Sequence, residues 1–152
     1  MWTAHGIRPI VVTMTGSHQR TCVFGALCII DGRQFFRKYD SFNQYTFLEY
    51  LIRLQKSFGK LILFIDRARQ HHHSKIVRGY IEERKDVLKV IYFPKGSSEF
   101  NAVVEECWRQ GKYDLLVSKY YPRFTDLKKF ITEYYRTKRF NLDIVKYLLR
   151  SL

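Results

Sequence analysis

Asp66 closes an apolar run, "LILFID", and is followed at once by Arg67, Arg69, three histidines (His71, His72, His73) and Lys75. In an α/β sheet, ligands gather at the carboxyl ends of strands, so a strand-terminal carboxylate sits where chemistry is commonly done. A hard divalent cation takes oxygen ligands, typically one or two carboxylates completed by water and phosphate oxygens. The next acids positioned to join Asp66 are Glu105 and Glu106, on a helix after the following strand. Two Mg²⁺ ions held this way activate a water or a 3′-hydroxyl and stabilise the leaving oxygen at a phosphodiester. Arg67, Arg69 and Lys75 would grip the flanking phosphates. The bland alternative is that Asp66 only ends a strand and pairs with Arg67 or a neighbouring amide.

The charge balance points the same way. Lys and Arg number 27 against 14 Asp and Glu, a net charge of +13 over 152 residues. Such an excess calls for a polyanionic partner, nucleic acid first, with a ribosome-like or membrane-surface protein as the alternative. Apolar residues at 46% can fill one core in one domain, and the many aromatic and β-branched residues argue against disorder. Cys22, Cys28 and Cys107 form no C-x-x-C pair, so neither a zinc knuckle nor a disulfide framework is indicated. No apolar run approaches a membrane span, and the N-terminus lacks a signal-peptide core. The expected setting is cytoplasmic and nucleoid-associated, with no membrane partner.

The elements that must position these groups follow from periodicity. "PIVVTMTG" is a short β-branched run. "RTCVFGALCII" and "RQFFRKYD" flank Asp31-Gly32, a hairpin signal. From Asn43 the period becomes helical, with Phe47, Leu51 and Leu54 on one face, Leu48 beside them, and Gly59 as the stop. "KLILFID", apolar on consecutive positions, predicts a strand buried on both faces. Ser74 can cap a helix with Val77, Tyr80 and Ile81 inward. "VLKVIYF" is the next strand, ended by Pro94. "AVVEECWRQG" predicts a short helix burying Val104, Cys107 and Trp108. Two tail helices carry Leu127, Phe130, Ile131 and Tyr134, then Leu142, Val145, Leu148 and Leu149. The aromatic, basic tail also fits a strand-binding groove, or simply a buried stripe with a basic outer face. A hairpin followed by βαβ gives a mixed sheet covered by helices.

Two motifs give these elements a family likeness. "LILFIDRARQHHHSK" has an apolar strand, Asp66, a small residue two places on (Ala68), His71 and Ser74-Lys75. "VIYFPKGSSEFNAVVEECW" has a strand, Pro94, a polar loop, Asn101, and Glu105 three residues before Trp108. Thirty-eight residues separate Asp66 from Glu105. Together with "GIRPIVVTMTGSHQRTCVFGALCIIDG", they make the chain resemble the catalytic domain of DDE-type transposases of prokaryotic insertion sequences, in the mariner-like superfamily, over residues 2 to about 112.

The resemblance implies an α/β, ribonuclease-H-like mixed sheet flanked by helices, with extra C-terminal helices. Residues 1–112 would form a partial DDE catalytic domain and 113–152 a helical extension packed on it. It implies Asp66 and Glu105 (with Glu106 as fallback) as catalytic, metal-binding acids for Mg²⁺ or Mn²⁺. Transposon-end DNA would be the partner, contacted by Arg67, Arg69, His71, Lys75 and Asn101. The histidine triplet is expected on a rim loop, with one ring near phosphate.

The departures matter. Glu99 and Ala102 replace the family's prolines, and an extra valine, Val103 or Val104, separates Asn101 from the acid. One inserted helical residue rotates what precedes it by about 100°. Counting from Trp108 favours Glu105, whereas counting from Asn101 lands on Val104. The family's first aspartate ends a strand upstream of Trp2 and Gly6, and only Met1 precedes Trp2. The expectation is a chain lacking that first central strand, as a truncated transposase or the C-terminal part of a split gene. It would be inactive alone, and would associate as a homodimer or with a complementing N-terminal fragment; "PIVVTM" is a candidate to slide into the vacancy. A non-catalytic basic nucleic-acid-binding module is the rival reading.

Overall fold

The structure is a computed structural model and describes residues 19–94, 102–117 and 119–142. The run "PIVVTMTG" and the helix expected around Val145, Leu148 and Leu149 lie outside the described residues, as does Asn101.

The hairpin forms as expected, with shorter arms. Strands β1 (Cys22–Leu27) and β2 (Gln34–Tyr39) pair antiparallel, with Cys22 opposite Tyr39 and Leu27 opposite Gln34. The connection runs through six residues rather than two. Cys28 N–H donates to Arg33 O, and Gly32 takes φ +71°, a left-handed conformation that favours glycine. Asp31 Oδ1 accepts from the Arg33 amide at 2.9 Å. Ile29 and Ile30, expected in the strand, fall in this loop and are exposed.

Helix α1 (Gln44–Phe58) opens on an Asn43 capping box, its carboxamide oxygen accepting from the Tyr45 and Thr46 amides. It closes at Gly59, φ +70°. Phe47, Tyr50, Leu51 and Leu54 are buried. Strand β3 (Leu61–Ile65) pairs parallel with β4 (Leu88–Tyr92), in register from Leu61 opposite Leu88 to Ile65 opposite Tyr92. Between them lie the short helix α2 (Arg69–His72) and helix α3 (Lys75–Glu83). Ser74 caps α3 as predicted, accepting from the Val77 amide at 3.3 Å. Val77 is fully buried, with Tyr80 and Ile81 packed partly against the same core.

One core therefore sits beneath both strand pairs. Phe24 and Phe35 of the hairpin, the inner face of α1, Val77 and Leu88 form it, and Leu61, Leu63, Ile65 and Val90 pack against it. The expectation that β3 is buried on both faces does not hold among the described residues. Leu61, Leu63 and Ile65 point into the core, while Ile62 and Phe64 are exposed. The apolar sequence is continuous, but α1 and α3 supply cover on one side only.

A second core lies on the other face of the hairpin. Phe36 and Val23 meet Cys107 and Trp108 of helix α4 (Ala102–Leu116), and Tyr134 and Tyr135 of helix α5 (Phe124–Thr137). Here Val103, rather than the expected Val104, is buried with Cys107, because the seated face of α4 runs through 103, 107, 111 and 115 at helical spacing. Helix α4 is also longer than expected and continues past residue 112. On α5, Ile131 is buried and Leu127 partly so, but Phe130 is 57% exposed. Tyr134 and Tyr135 take the stripe's inner side, leaving Phe130 at its margin beside Tyr121.

The mixed α/β class is thus observed, but not one continuous mixed sheet. Among the described residues β1 pairs only with β2, and β3 only with β4. Counting the described residues only, each of the four strands has one edge without a strand neighbour.

Candidate active site at the end of β3

Strand β3 stops at Ile65, whose carbonyl accepts from the Phe93 amide at 2.9 Å. Asp66 is the first residue beyond it. Its Oδ1 accepts from the Ala68 amide at 3.1 Å, turning the chain two residues on. A small residue at 68 also starts the next turn, because the Ala68 carbonyl accepts from the amides of His71 and His72. That turn places His71 Nδ1 at 2.7 Å from the same Oδ1. The bland alternative for Asp66 was right about an amide partner and wrong about Arg67, whose Nε donates to Phe93 O at 2.9 Å.

The histidine triplet divides. His73 is exposed and His72 half-buried, its ring edge-on to Tyr92. His71 is buried, its ring 4.0 Å from that of Phe47 and edge-on to Phe42. Its carbonyl accepts from the Tyr92 hydroxyl at 3.1 Å. His71 therefore lies under the turn, where the sequence expected a rim. An ionised carboxylate only accepts hydrogen bonds, so Nδ1 is the donor. The His71 hydrogen bond, followed by the Ala68 amide, holds the Asp66 carboxyl below its ordinary range against an opposing effect of burial.

The acids of α4 differ from each other. Glu105 is exposed, in the first turn. Glu106 is engaged: Arg109 binds both of its oxygens and Gln110 donates to Oε1 at 2.9 Å. Its side chain is 13% exposed, and the Arg109 guanidinium above all pulls its carboxyl down to about 2. Helix α4 is positioned by β1. A Cβ at Gly25 would stand 2.6 Å from Trp108 Cη2, so the glycine lets the indole seat directly on the strand. Lys75 is exposed at the start of α3. Of Arg69 only the backbone, in α2, is described.

The donor chemistry at Asp66 fits a hard cation. Its side chain is 57% exposed, and its hydrogen bonds to described residues all fall on Oδ1, leaving Oδ2 open. Among the described residues no group of three His, Cys, Asp or Glu converges to hold a metal ion. Protein coordination here would thus come from one or two carboxylates, completed by water and phosphate oxygens as Mg²⁺ prefers.

A family model described as DDE superfamily endonuclease matches residues 1–128, a span that includes both acidic motifs. The chain belongs to the DDE superfamily. The match supports a DDE-type transposase catalytic domain, and the mixed α/β build with short sheets is consistent with a DDE, ribonuclease-H-like domain. DDE endonucleases generally use divalent metal ions, and DDE transposases act on DNA. No curated protein matches the chain. No helix among the described residues of this DDE chain is long and apolar enough to cross a membrane.

Sequence reasoning missed the aromatic seat of His71 and its bond to Asp66. The signal was present in the five-residue spacing from Asp66 to His71, with Ala68 permitting the turn. Phe47, on α1, and Phe42, just before its cap, lie far enough away in sequence that no local pattern links them to this histidine.

Proposed function

We propose that this chain is the DNA-engaging catalytic region of a prokaryotic, mariner-like insertion-sequence transposase. Asp66 and Glu105 are its metal-binding acids, for Mg²⁺ or Mn²⁺. The observation that carries the reading is Asp66 Oδ2 at the carboxyl end of β3, which takes no hydrogen bond from the described residues, inside the span matched by the endonuclease family. Glu105 is the better second acid because it is exposed, whereas Glu106 is occupied by Arg109 and Gln110. A bound divalent cation would supply Lewis-acid activation of the phosphodiester and its attacking hydroxyl. The chain's own share is to hold the DNA backbone. Lys75, Arg67, Arg69 and Asn101 fall within the two acidic motifs in the sequence, and the overall charge of +13 draws DNA in.

A fifth strand between β1 and β3 completes the sheet in this reading and brings the third acid. The unjoined strand pairs, already packed on one core, support it. A separate polypeptide segment carrying that acid is the source in this reading, since the first acidic residue of this sequence is Asp31. The chain alone should then bind DNA without cutting it.

The test is incubation with terminal-repeat DNA at increasing salt, with and without Mn²⁺. Binding should weaken steeply and linearly in log–log form, as counterions are released on contact with phosphates. Salt-insensitive binding would contradict the electrostatic part. Specific nicking that disappears in Asp66→Ala would contradict the inactivity of the chain alone, while supporting Asp66 as a catalytic residue.

A further inference from the structure

We infer that His71 is a positioning residue for Asp66: its ring fixes the carboxylate through Nδ1–H to Oδ1, so that Oδ2 is held facing solvent for a divalent cation. The inference rests on the reading of Asp66 as a metal-binding acid.

Three observations converge on it. The Nδ1 to Oδ1 distance is 2.7 Å, and the same oxygen takes the Ala68 amide, so both protein hydrogen bonds fall on one side of the carboxylate. The ring cannot swing away, because Phe47 lies against it at 4.0 Å, Phe42 meets its edge, and Tyr92 holds the backbone carbonyl of the same residue. Finally, His71 Nε2 is buried and has no hydrogen-bond partner among the described residues. Buried polar atoms normally find partners, and an orphan asks for an explanation. A phenylalanine would fill this aromatic seat without leaving one. The histidine is therefore accounted for by its other nitrogen, the one on Asp66. Outer partners of this kind orient ligating groups and typically matter for metal affinity.

The experiment uses the full chain, labelled with ¹⁵N, and Mn²⁺ as the probe. Long-range ¹⁵N–¹H spectra report which ring nitrogen of His71 carries the proton, and Mn²⁺ broadening of the Asp66 and Ala68 amide signals reports cation binding. We expect a proton on Nδ1 and selective broadening at Asp66. His71→Phe should keep or raise the thermal midpoint, since it removes the orphaned Nε2, yet weaken Mn²⁺ binding about 10-fold. His71→Asn places an amide donor near the position of Nδ1 and should restore most of that affinity despite its smaller volume.

A purely packing role predicts the reverse for the two variants: unchanged affinity in His71→Phe, and no advantage for asparagine. That result, or a proton on Nε2 in the wild-type chain, overturns the inference while leaving Asp66 a metal-binding acid. Absence of Mn²⁺ broadening at Asp66 in the wild type overturns the metal reading and this inference with it. Should His71→Phe fail to fold, the wild-type tautomer and the His71→Asn titration still decide.

Discussion

Trp108 rests on Gly25 with no room for a side chain between them: a Cβ at residue 25 would lie 2.6 Å from Trp108 Cη2 and 2.3 Å from Phe36 Cε1. The contact ties α4, which carries Glu105, to the hairpin. Gly25→Ala must push apart two rings that pack edge-on, so it should destabilise the chain by about 1–3 kcal/mol, as overpacking does. Urea unfolding measures this. Gly111 faces the Tyr135 hydroxyl in the same core, but one ring can yield more readily than two, and Gly111→Ala should cost less. A larger loss at 111 than at 25 would contradict the packing described.

Cys107 should resist thiol reagents in the native state. It is fully buried in the second core, and burial pushes its thiol up to about 12, so almost no thiolate is present at neutral pH. Cys22 and Cys28 are only partly buried. Labelling with a colorimetric disulfide reagent should therefore modify Cys107 last, at the rate of unfolding. Rapid reaction of all three cysteines would refute the seating of α4.

The Glu106–Arg109 pair sets an acid-range signature. The Glu106 carboxyl is depressed from its ordinary 4.5 to about 2, so the folded form holds it ionised more strongly than the unfolded form does. Its stabilising contribution is fully present above pH 4.5 and disappears as pH falls towards 2. Carboxyl NMR should find Glu106 titrating near the bottom of that window. In Arg109→Ala it should move up towards the ordinary carboxylate range, with Gln110 retaining part of the shift. A wild-type Glu106 titrating at its ordinary value would mean that it is not committed to Arg109, and would reopen it as the second acid.

Much of this architecture was legible because the relevant forces are local. The face through Phe47, Leu51 and Leu54, the Gly59 stop and the Ser74 cap each follow from helical period or end chemistry, and each stands in the structure. What was not legible depends on which neighbours arrive. The run 61–65 is apolar throughout, and nothing within it tells that Ile62 and Phe64 lack cover among the described residues. The choice of Val103 over Val104 depends on how Trp108 meets Gly25, a contact between elements some eighty positions apart. The position of Asp66 at the end of β3 was legible from the apolar run before it. Its bond to a buried His71 required the aromatic seat made by Phe47 of α1 and by Phe42 just before that helix.

Among the described residues each strand pair leaves an edge with no strand neighbour, and these edges carry a prediction of their own. An edge with unsatisfied N–H and C=O groups is a template for another strand. The chain should elute from gel filtration as a dimer or larger species, shifting with concentration. Amides of β1 and β3 should gain exchange protection in the associated form. A monomer at all concentrations, with those amides protected, would show that the edges are already satisfied within one chain.

The metal-binding role of Asp66 is tested most directly by where a cation settles. A crystal of the chain soaked in Mn²⁺ and read by anomalous scattering locates it without reference to activity. The peak is expected within coordination distance of Asp66 Oδ2, with Glu105 as its other protein ligand. A peak held by Glu106 instead, or none near Asp66, would contradict this assignment.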